Sequence, residues 1–412
     1  MDAEKETAPV DAGKKNKKSK IVLISVLAAV FLLLLFAYIF RHQIVNAFTR
    51  PDRETLDTAV PWAETKDTAD TEEPPETLPM GEHDEEVYNL LICGHDRVGD
   101  NTDVNLLISF NTTKLTANIM QIPRDVNAIL PPYSDGYVRP TVNGIFGFCK
   151  KAETVSDSYM QQRMDKYPVG SDMRGIAGFA AYLERNMCVK IHYYAVMDLT
   201  QFSNIVDALG GVEMNVPFDL DYDDGDQDLH IHIKAGEQTL DGKTAEGIVR
   251  YREGFGLADI ARGNMQKMFM ACLVKTIQSK MNIFNVDKIV KVCNIIGDNL
   301  VTNMETSDLI YFANNAMTLD LRYVTFMTLR MGGWLDEEKG TWYSCLNKEG
   351  ALKYINNYFN VFDEPVTADQ FDRNGYFYMD SVWYWGPAAN LPDYIYTGAE
   401  MTDESFVPVV GY

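Results

Sequence analysis

Twenty consecutive residues, Ile21 to Phe40, carry almost nothing but apolar side chains. At a rise of about 1.5 Å per residue such a run reaches about 30 Å, the thickness of a bilayer's hydrocarbon core. It predicts a membrane-spanning helix over residues 21–40 and thereby constrains the rest of the chain. A cleaved signal peptide is the competing reading. Its apolar region is normally about 7 to 15 residues and ends in small residues, whereas this run closes on Tyr38-Ile39-Phe40-Arg41. Five lysines between Lys14 and Lys20 outnumber the basic residues just after the run. Residues 1–20 are therefore expected in the cytoplasm, and everything from Arg41 onward outside the cell membrane, held by a single pass.

After the run the composition turns to Thr, Asp, Glu and Pro, including Glu72-Glu73-Pro74-Pro75-Glu76, with no apolar period. Residues 41–86 read as an extended, self-repelling linker. The 412-residue chain is 46% hydrophobic, enough for a large core. Its net charge of −22 argues against nucleic acid, which is bound through excess Lys and Arg. The six cysteines include no close-spaced pair. A metal cluster is thus not expected, disulfides are permitted outside the membrane, and several cysteines sit in apolar runs as small buried residues would.

The folded part, expected over residues 87–362, opens with a strand at Val87 to Cys93. A second follows at Val104 to Phe110, after a loop that closes with Thr102-Asp103, and a third at Thr116 to Ile122. Ile176, Phe179, Ala180 and Leu183 share one face of a helix over Ile176 to Met187. A strand at His192 to Val196, a helix at Leu199 to Leu209, a Gly210-Gly211 stop and a strand at Val212 to Val216 follow, with a long helix at Asn264 to Met281. Strands alternating with helices predict an α/β fold, a mixed central β-sheet flanked by helices, preceded by the transmembrane helix. The aromatic, acidic segment 363–412 reads either as a partner- or glycan-binding appendage or as a strap over the core, the strap being favoured.

In such sheets ligands bind beyond the carboxyl ends of the strands. Asp96 and Arg124 sit just after expected strands. If Val249-Arg250-Tyr251-Arg252 ends a strand, Arg250 and Arg252 share a face. On a helix starting near Asp259, the side chains of Asp259, Arg262 and Gln266 would fall in one stripe. Such clustered cations expect an anion, and a phosphate or pyrophosphate suits Arg best. The alternative is ordinary surface arginines paired with Glu253 and Asp259. Two further patterns carry less. The Asp219 to Asp228 loop lacks the ordered spacing of a calcium loop and reads as solvated. His230-Ile231-His232 places two imidazoles on one strand face, but with no evident third zinc ligand a solvent-facing strand is favoured.

In order, the chain presents Gly94-His95-Asp96, Thr102-Asp103, Ile122-Pro123-Arg124-Asp125, Val206-Asp207-Ala208-Leu209-Gly210-Gly211-Val212, Leu240-Asp241-Gly242, Val249-Arg250-Tyr251-Arg252, and Asp259 with Arg262 and Gln266. In this set it resembles the LytR-CpsA-Psr proteins, membrane-anchored enzymes that attach glycopolymers to the bacterial cell wall. The resemblance implies an α/β/α domain that moves a glycopolymer, such as teichoic acid or capsule, from a polyprenyl-pyrophosphate carrier to a peptidoglycan hydroxyl, forming a phosphodiester. It further implies that Arg124, Arg250, Arg252, Arg262 and Gln266 hold the pyrophosphate, with Arg139 as a further contact where the family often carries Lys. Asp96 and Asp103 would hold Mg²⁺, Asp259 would support the arginines, and Asp125 or Asp103 would take the acceptor proton. Asn101 stands where the family commonly has Arg. Two other readings use the same cluster: a pyrophosphatase of polyprenyl carriers, and a non-catalytic lipid-pyrophosphate binder or regulator. A monomeric domain is expected.

Overall fold

The computed structural model describes residues 41–51, 86–95, 100–126, 128, 141–225, 229–251, 258–280, 286–329, 331–336, 341–373 and 395–406. The chain divides into two units, residues 1–50 and 51–412. The first contributes a helix, Arg41–Thr49. The expected membrane span at 21–40 and most of the linker lie outside the described residues. Among the described residues no helix is long and apolar enough to cross a membrane.

The second unit opens with three antiparallel strands, β1 (Val87–His95), β2 (Thr102–Asn111) and β3 (Thr116–Gln121). Thr102 and Asp103 thus begin a strand and do not close the preceding loop. The β2–β3 turn is set by Asn111, whose Oδ1 accepts from the backbone N–H of Thr113 (3.0 Å) and Lys114 (2.7 Å). Helices α1 (Val142–Lys151), α2 (Ser158–Met164) and α3 (Asp172–Met187) follow. The chain continues through β4 (Tyr193–Met197), α4 (Leu199–Ala208), β5 (Val212–Val216), β6 (Leu220–Asp224), β7 (Leu229–Ile233) and β8 (Gly236–Leu240). After α4 the chain stops on Gly210 and Gly211, both at positive φ, where an L side chain would be strained. Helices α5 (Gly242–Arg250), α6 (Ala258–Lys280) and α7 (Val286–Asp298) precede β9 (Val301–Thr302), α8 (Thr306–Ala316) and β10 (Val324–Thr328). The remainder comprises β11 (Met331–Asp336), β12 (Thr341–Leu346), α9 (Lys348–Tyr354), α10 (Ala368–Arg373), β13 (Tyr396–Thr397) and α11 (Gly398–Met401).

Seven strands form one sheet in the order β13-β10-β3-β2-β1-β4-β9. β1 pairs parallel with β4, and β3 with β10, while β2 runs antiparallel to both β1 and β3. The carboxyl ends of β1, β3, β4 and β10 and the amino end of β2 therefore share one edge. The period of two sends Leu91 and Cys93 to one side, into a core with α1, α3 and α9. Tyr88 and Leu90 face the other side, packing with Tyr311 and Phe312 of α8. This is the mixed sheet flanked by helices that the alternation predicts. Cys93, Cys149, Cys188, Cys272 and Cys293 are buried free thiols.

Two ribbons stand apart from the sheet, β5 with β8 and β6 with β7. Their inner faces share a core with α5 and α6. Here the expected strand at Val249–Arg252 is overturned, because Val249 and Arg250 end helix α5. Asp241 caps that helix by accepting from the Thr244 N–H at 2.8 Å, and Ala245 and Ile248 bury at helical spacing. Tyr251 follows in an extended conformation and is buried.

Candidate active site at the strand ends

Arg124 stands three residues beyond β3, and its Nη1 donates to Asp103 Oδ1 at the start of β2 at 2.6 Å. Its Nε lies 3.4 Å from Asp125 Oδ2. The guanidinium side chain is 21% exposed and the two carboxylates 46% and 47%, so the group lies at the mouth of the strand edge. The loop is fixed from above by α1, where Val142 N donates to Val126 O (2.8 Å) and Asn143 N to Arg124 O (3.0 Å). A cleft of about 350 Å³ adjoins it, lined by Asp100, Asn101, Gly144, Gly147, Phe148 and Lys151 among others. Gly147 is required there, since a Cβ would strike the Asp100 carbonyl. Lys151 pairs with Asp100 at 2.6 Å, so a cation stands beside Asn101 even though Asn101 itself supplies none.

Helix α6 crosses the same edge. Gln121, the last residue of β3, donates through Nε2 to Gln266 Oε1 at 2.9 Å, and Gln266 Nε2 donates to Val249 O at 3.0 Å. One buried amide thereby ties β3, α6 and the end of α5 together. Gln266, expected as a pyrophosphate ligand, is held here by Gln121 and Val249, each taking one of the amide's several hydrogen-bonding positions. Arg262, one turn earlier, is 7% exposed. Arg262 and Gln266 stand one turn apart on helix α6, while the Asp259 side chain of the expected stripe lies outside the described residues.

Arg250 pairs with Glu246 of its own helix at 2.9 Å. The carbonyl of the preceding residue, Val249, accepts from Gln266, and Arg250 itself lies at the end of a helix and not on a strand face. Asp96, Arg139 and Arg252 lie outside the described residues. Sequence reading missed Lys267, which is 1% exposed and donates to Thr328 Oγ1 at the end of β10 at 2.7 Å. Burial pushes its ammonium down to about 7. Nothing in the sequence marked it, since its partner Thr328 lies 61 positions further along the chain. The Asp103 carboxylate is half exposed and meets Arg124 through Oδ1, a donor chemistry that suits a hard cation.

The comparisons with known proteins bear on the family and the fold. The chain is 24% identical over 239 residues to the polyisoprenyl-teichoic acid–peptidoglycan teichoic acid transferase TagV of Bacillus subtilis, covering 56% of this chain and 53% of that one. It is 26% identical over 248 residues to the cell wall biosynthesis protein LcpA of Corynebacterium glutamicum, covering 60% and 46%. The chain spans about half the length of the curated relatives it matches. Among solved structures, that of B. subtilis TagV superposes with a TM-score of 0.51 at 17% identity, covering 70% of this chain and 96% of that one. A transcriptional regulator of Enterococcus faecalis superposes with a TM-score of 0.51 at 16% identity, covering 70% and 92%. Both show the fold alone. The model of the LytR_cpsA_psr family matches residues 56–358, well over half the chain, and the chain belongs to that family.

Proposed function

We propose that this protein is a membrane-anchored phosphotransferase that moves a glycopolymer from a polyprenyl-pyrophosphate carrier to a peptidoglycan hydroxyl at the outer membrane surface. The observation that carries the reading is the Asp103–Arg124 pair at the mouth of the strand edge, with Gln266 tying β3 to α6 and α5. The names of TagV and LcpA support it. The residues 21–40 anchor would keep the domain beside its lipid-linked donor. In the reaction the acceptor oxygen bonds to the phosphorus that carries the glycan, and the phosphoanhydride bond breaks. Polyprenyl phosphate leaves and the hydroxyl proton passes to a base, for which we choose half-exposed Asp125, since Asp103 as a metal ligand would be a poor base. Arg124 would stabilise the charge that grows on the phosphoryl oxygens, with Arg250, Arg252 and Arg262 completing the cationic side. Asp103, with Asp96, would hold Mg²⁺, which supplies charge neutralisation of the pyrophosphate. The cleft lined by Asn101, Phe148 and Lys151 would offer the acceptor glycan a groove of mixed apolar and polar character.

The test uses the full chain in detergent micelles with Mg²⁺ and a polyprenyl-pyrophosphate glycan. Release of polyprenyl phosphate is expected, and Asp103→Ala or Arg252→Ala should abolish it. Unchanged turnover in both variants would sink the reading. Adding peptidoglycan oligosaccharide and searching by mass spectrometry for a phosphodiester separates transfer from hydrolysis.

A further inference from the structure

On the far ribbon, β6 and β7 pair antiparallel with Asp221 opposite His232 and Asp223 opposite His230. All four side chains face solvent, while Leu220, Leu229, Ile231 and Ile233 bury the opposite face. The solvent-facing strand expected for His230 and His232 is thus what forms, and the ribbon adds the third ligand that the sequence alone did not reveal. Asp223 Oδ1 is approached by two imidazoles: His230 Nδ1 contacts it, and His232 Nε2 lies 3.4 Å away. The ligand atoms of Asp223, His230 and His232 all lie within 4.8 Å of one another. Four-coordinate zinc holds N and O ligands about 2.0 to 2.2 Å from the ion, hence about 3.3 Å apart, so small rotations of exposed side chains suffice.

Asp221 gives the second, independent observation. Its Oδ1 lies 2.5 Å from His232 Nδ1, which fixes the ring so that Nε2, the other nitrogen, is turned to Asp223. A carboxylate behind a ligating imidazole is the arrangement that orients histidine at zinc sites and raises its basicity. The next rung of the ribbon shows the ordinary alternative, a Lys234–Asp219 ion pair at 2.7 Å. Two imidazoles and one carboxylate oxygen form a donor set suited to Zn²⁺ and poor for Mg²⁺ or Ca²⁺, which prefer all-oxygen shells.

We propose that Asp223, His230 and His232 form a zinc site, oriented by Asp221, with a fourth position left for water or an incoming ligand. The site is separate from the strand edge and does not rest on the transferase reading. The inner face of the ribbon lies against α5, where Gly247 meets Ile231 and Ile233, so bound zinc clamps the support of the helix that ends in Arg250.

The experiment titrates Zn²⁺ into metal-stripped full-length protein in detergent, in competition with a chromophoric chelator. One zinc equivalent is expected. His230→Gln and His232→Gln should each weaken it on the order of 100-fold, and Asp221→Asn by about tenfold, as loss of an orienting carboxylate does. Asp103→Asn should leave this equivalent in place, which separates it from any metal held at the strand edge. Co²⁺ substitution should give visible d–d absorption in the wild type that both histidine variants lose, with circular dichroism unchanged. Zinc binding of wild-type strength in both histidine variants, or no zinc equivalent in the wild type, would overturn the proposal.

Discussion

At the scale of single residues, two positions on α6 decide how the strand edge is held. Gly263 lies directly over Gln121, and a Cβ there would fall well inside contact distance of the Gln121 amide oxygen. Gly263→Ala should gain up to about 1 kcal/mol of intrinsic helix stability while displacing the amide that carries Gln266. The expected outcome is a protein that melts no lower than wild type yet turns over donor at least tenfold more slowly, about 1.4 kcal/mol in the barrier. Equal turnover would show that the Gln121–Gln266 bond does not position the site. Lys267 makes the second case, with a folded value near 7 against 10.5 for an exposed lysine. Between these values the unfolded chain holds more protons than the folded one. The penalty on the fold is therefore complete below pH 7, shrinks as pH rises, and is gone above the unfolded value. Lys267→Met should raise the unfolding midpoint most near pH 6.5 and progressively less toward pH 10. An equal rise at both ends would mean that the gain comes from packing and not from removing a buried charge.

Among the elements, α3 shows what the sequence makes legible and what it hides. Its apolar stripe of Ile176, Phe179, Ala180 and Leu183 is readable at helical spacing, and all four residues are fully buried. Arg174, Glu184 and Arg185 on the same helix are also buried, because α1 and α2 pack over the face that the pattern assigns to solvent. Glu184 accepts from Tyr159 OH (2.7 Å) and from the Ile191 N–H (2.9 Å), and it faces Arg163 at 3.5 Å and Lys190 at 3.9 Å. Breaking such a group by removing its one anion leaves two buried cations, so Glu184→Gln should cost about 3 to 5 kcal/mol in urea denaturation. A loss below about 1 kcal/mol would place the cluster in contact with water. The same contrast runs through the candidate site. Arg124 was legible as a residue just past a strand, whereas Asp103 was singled out only by the resemblance, since the strand pattern left it in a loop that the structure makes the start of β2. Val249-Arg250-Tyr251-Arg252 was misread because four alternating residues fit a strand as well as the last turn of a helix, and the choice was made by the Asp241 cap and by the ribbon packed against α5. Gln121 and Lys267 were not legible at all, since their roles arise from partners as distant as 145 positions along the chain.

For the whole molecule, the C-terminal segment adds a link between the main sheet and the ribbons. β13 adds an edge strand to β10, with Thr325 opposite Thr397 and Phe326 opposite Tyr396. Met401 of α11 is fully buried in the core behind the sheet. Phe406 packs into both that core and the core of the ribbons, and Glu404 O accepts from Asn215 Nδ2 of β5 at 3.3 Å. The described part of the tail is thus a strap running from the main sheet to the ribbons. Its effect reaches the strand edge, because β10 ends at Thr328, the partner of Lys267, and pairs parallel with β3, which ends at Gln121. Met401→Ala should cost about 2 to 5 kcal/mol, the range for emptying a fully buried methionine position. A chain ending at residue 394 should lose more, because it also bares the β10 edge, and an unpaired edge strand invites association. The expected readout is a lower urea midpoint for both proteins, with concentration-dependent association only in the truncated one. Donor turnover should fall with truncation even under conditions where circular dichroism shows the protein folded. A truncated protein with wild-type stability and turnover would reduce the strap to a covering that neither holds the ribbons nor sets the strand edge.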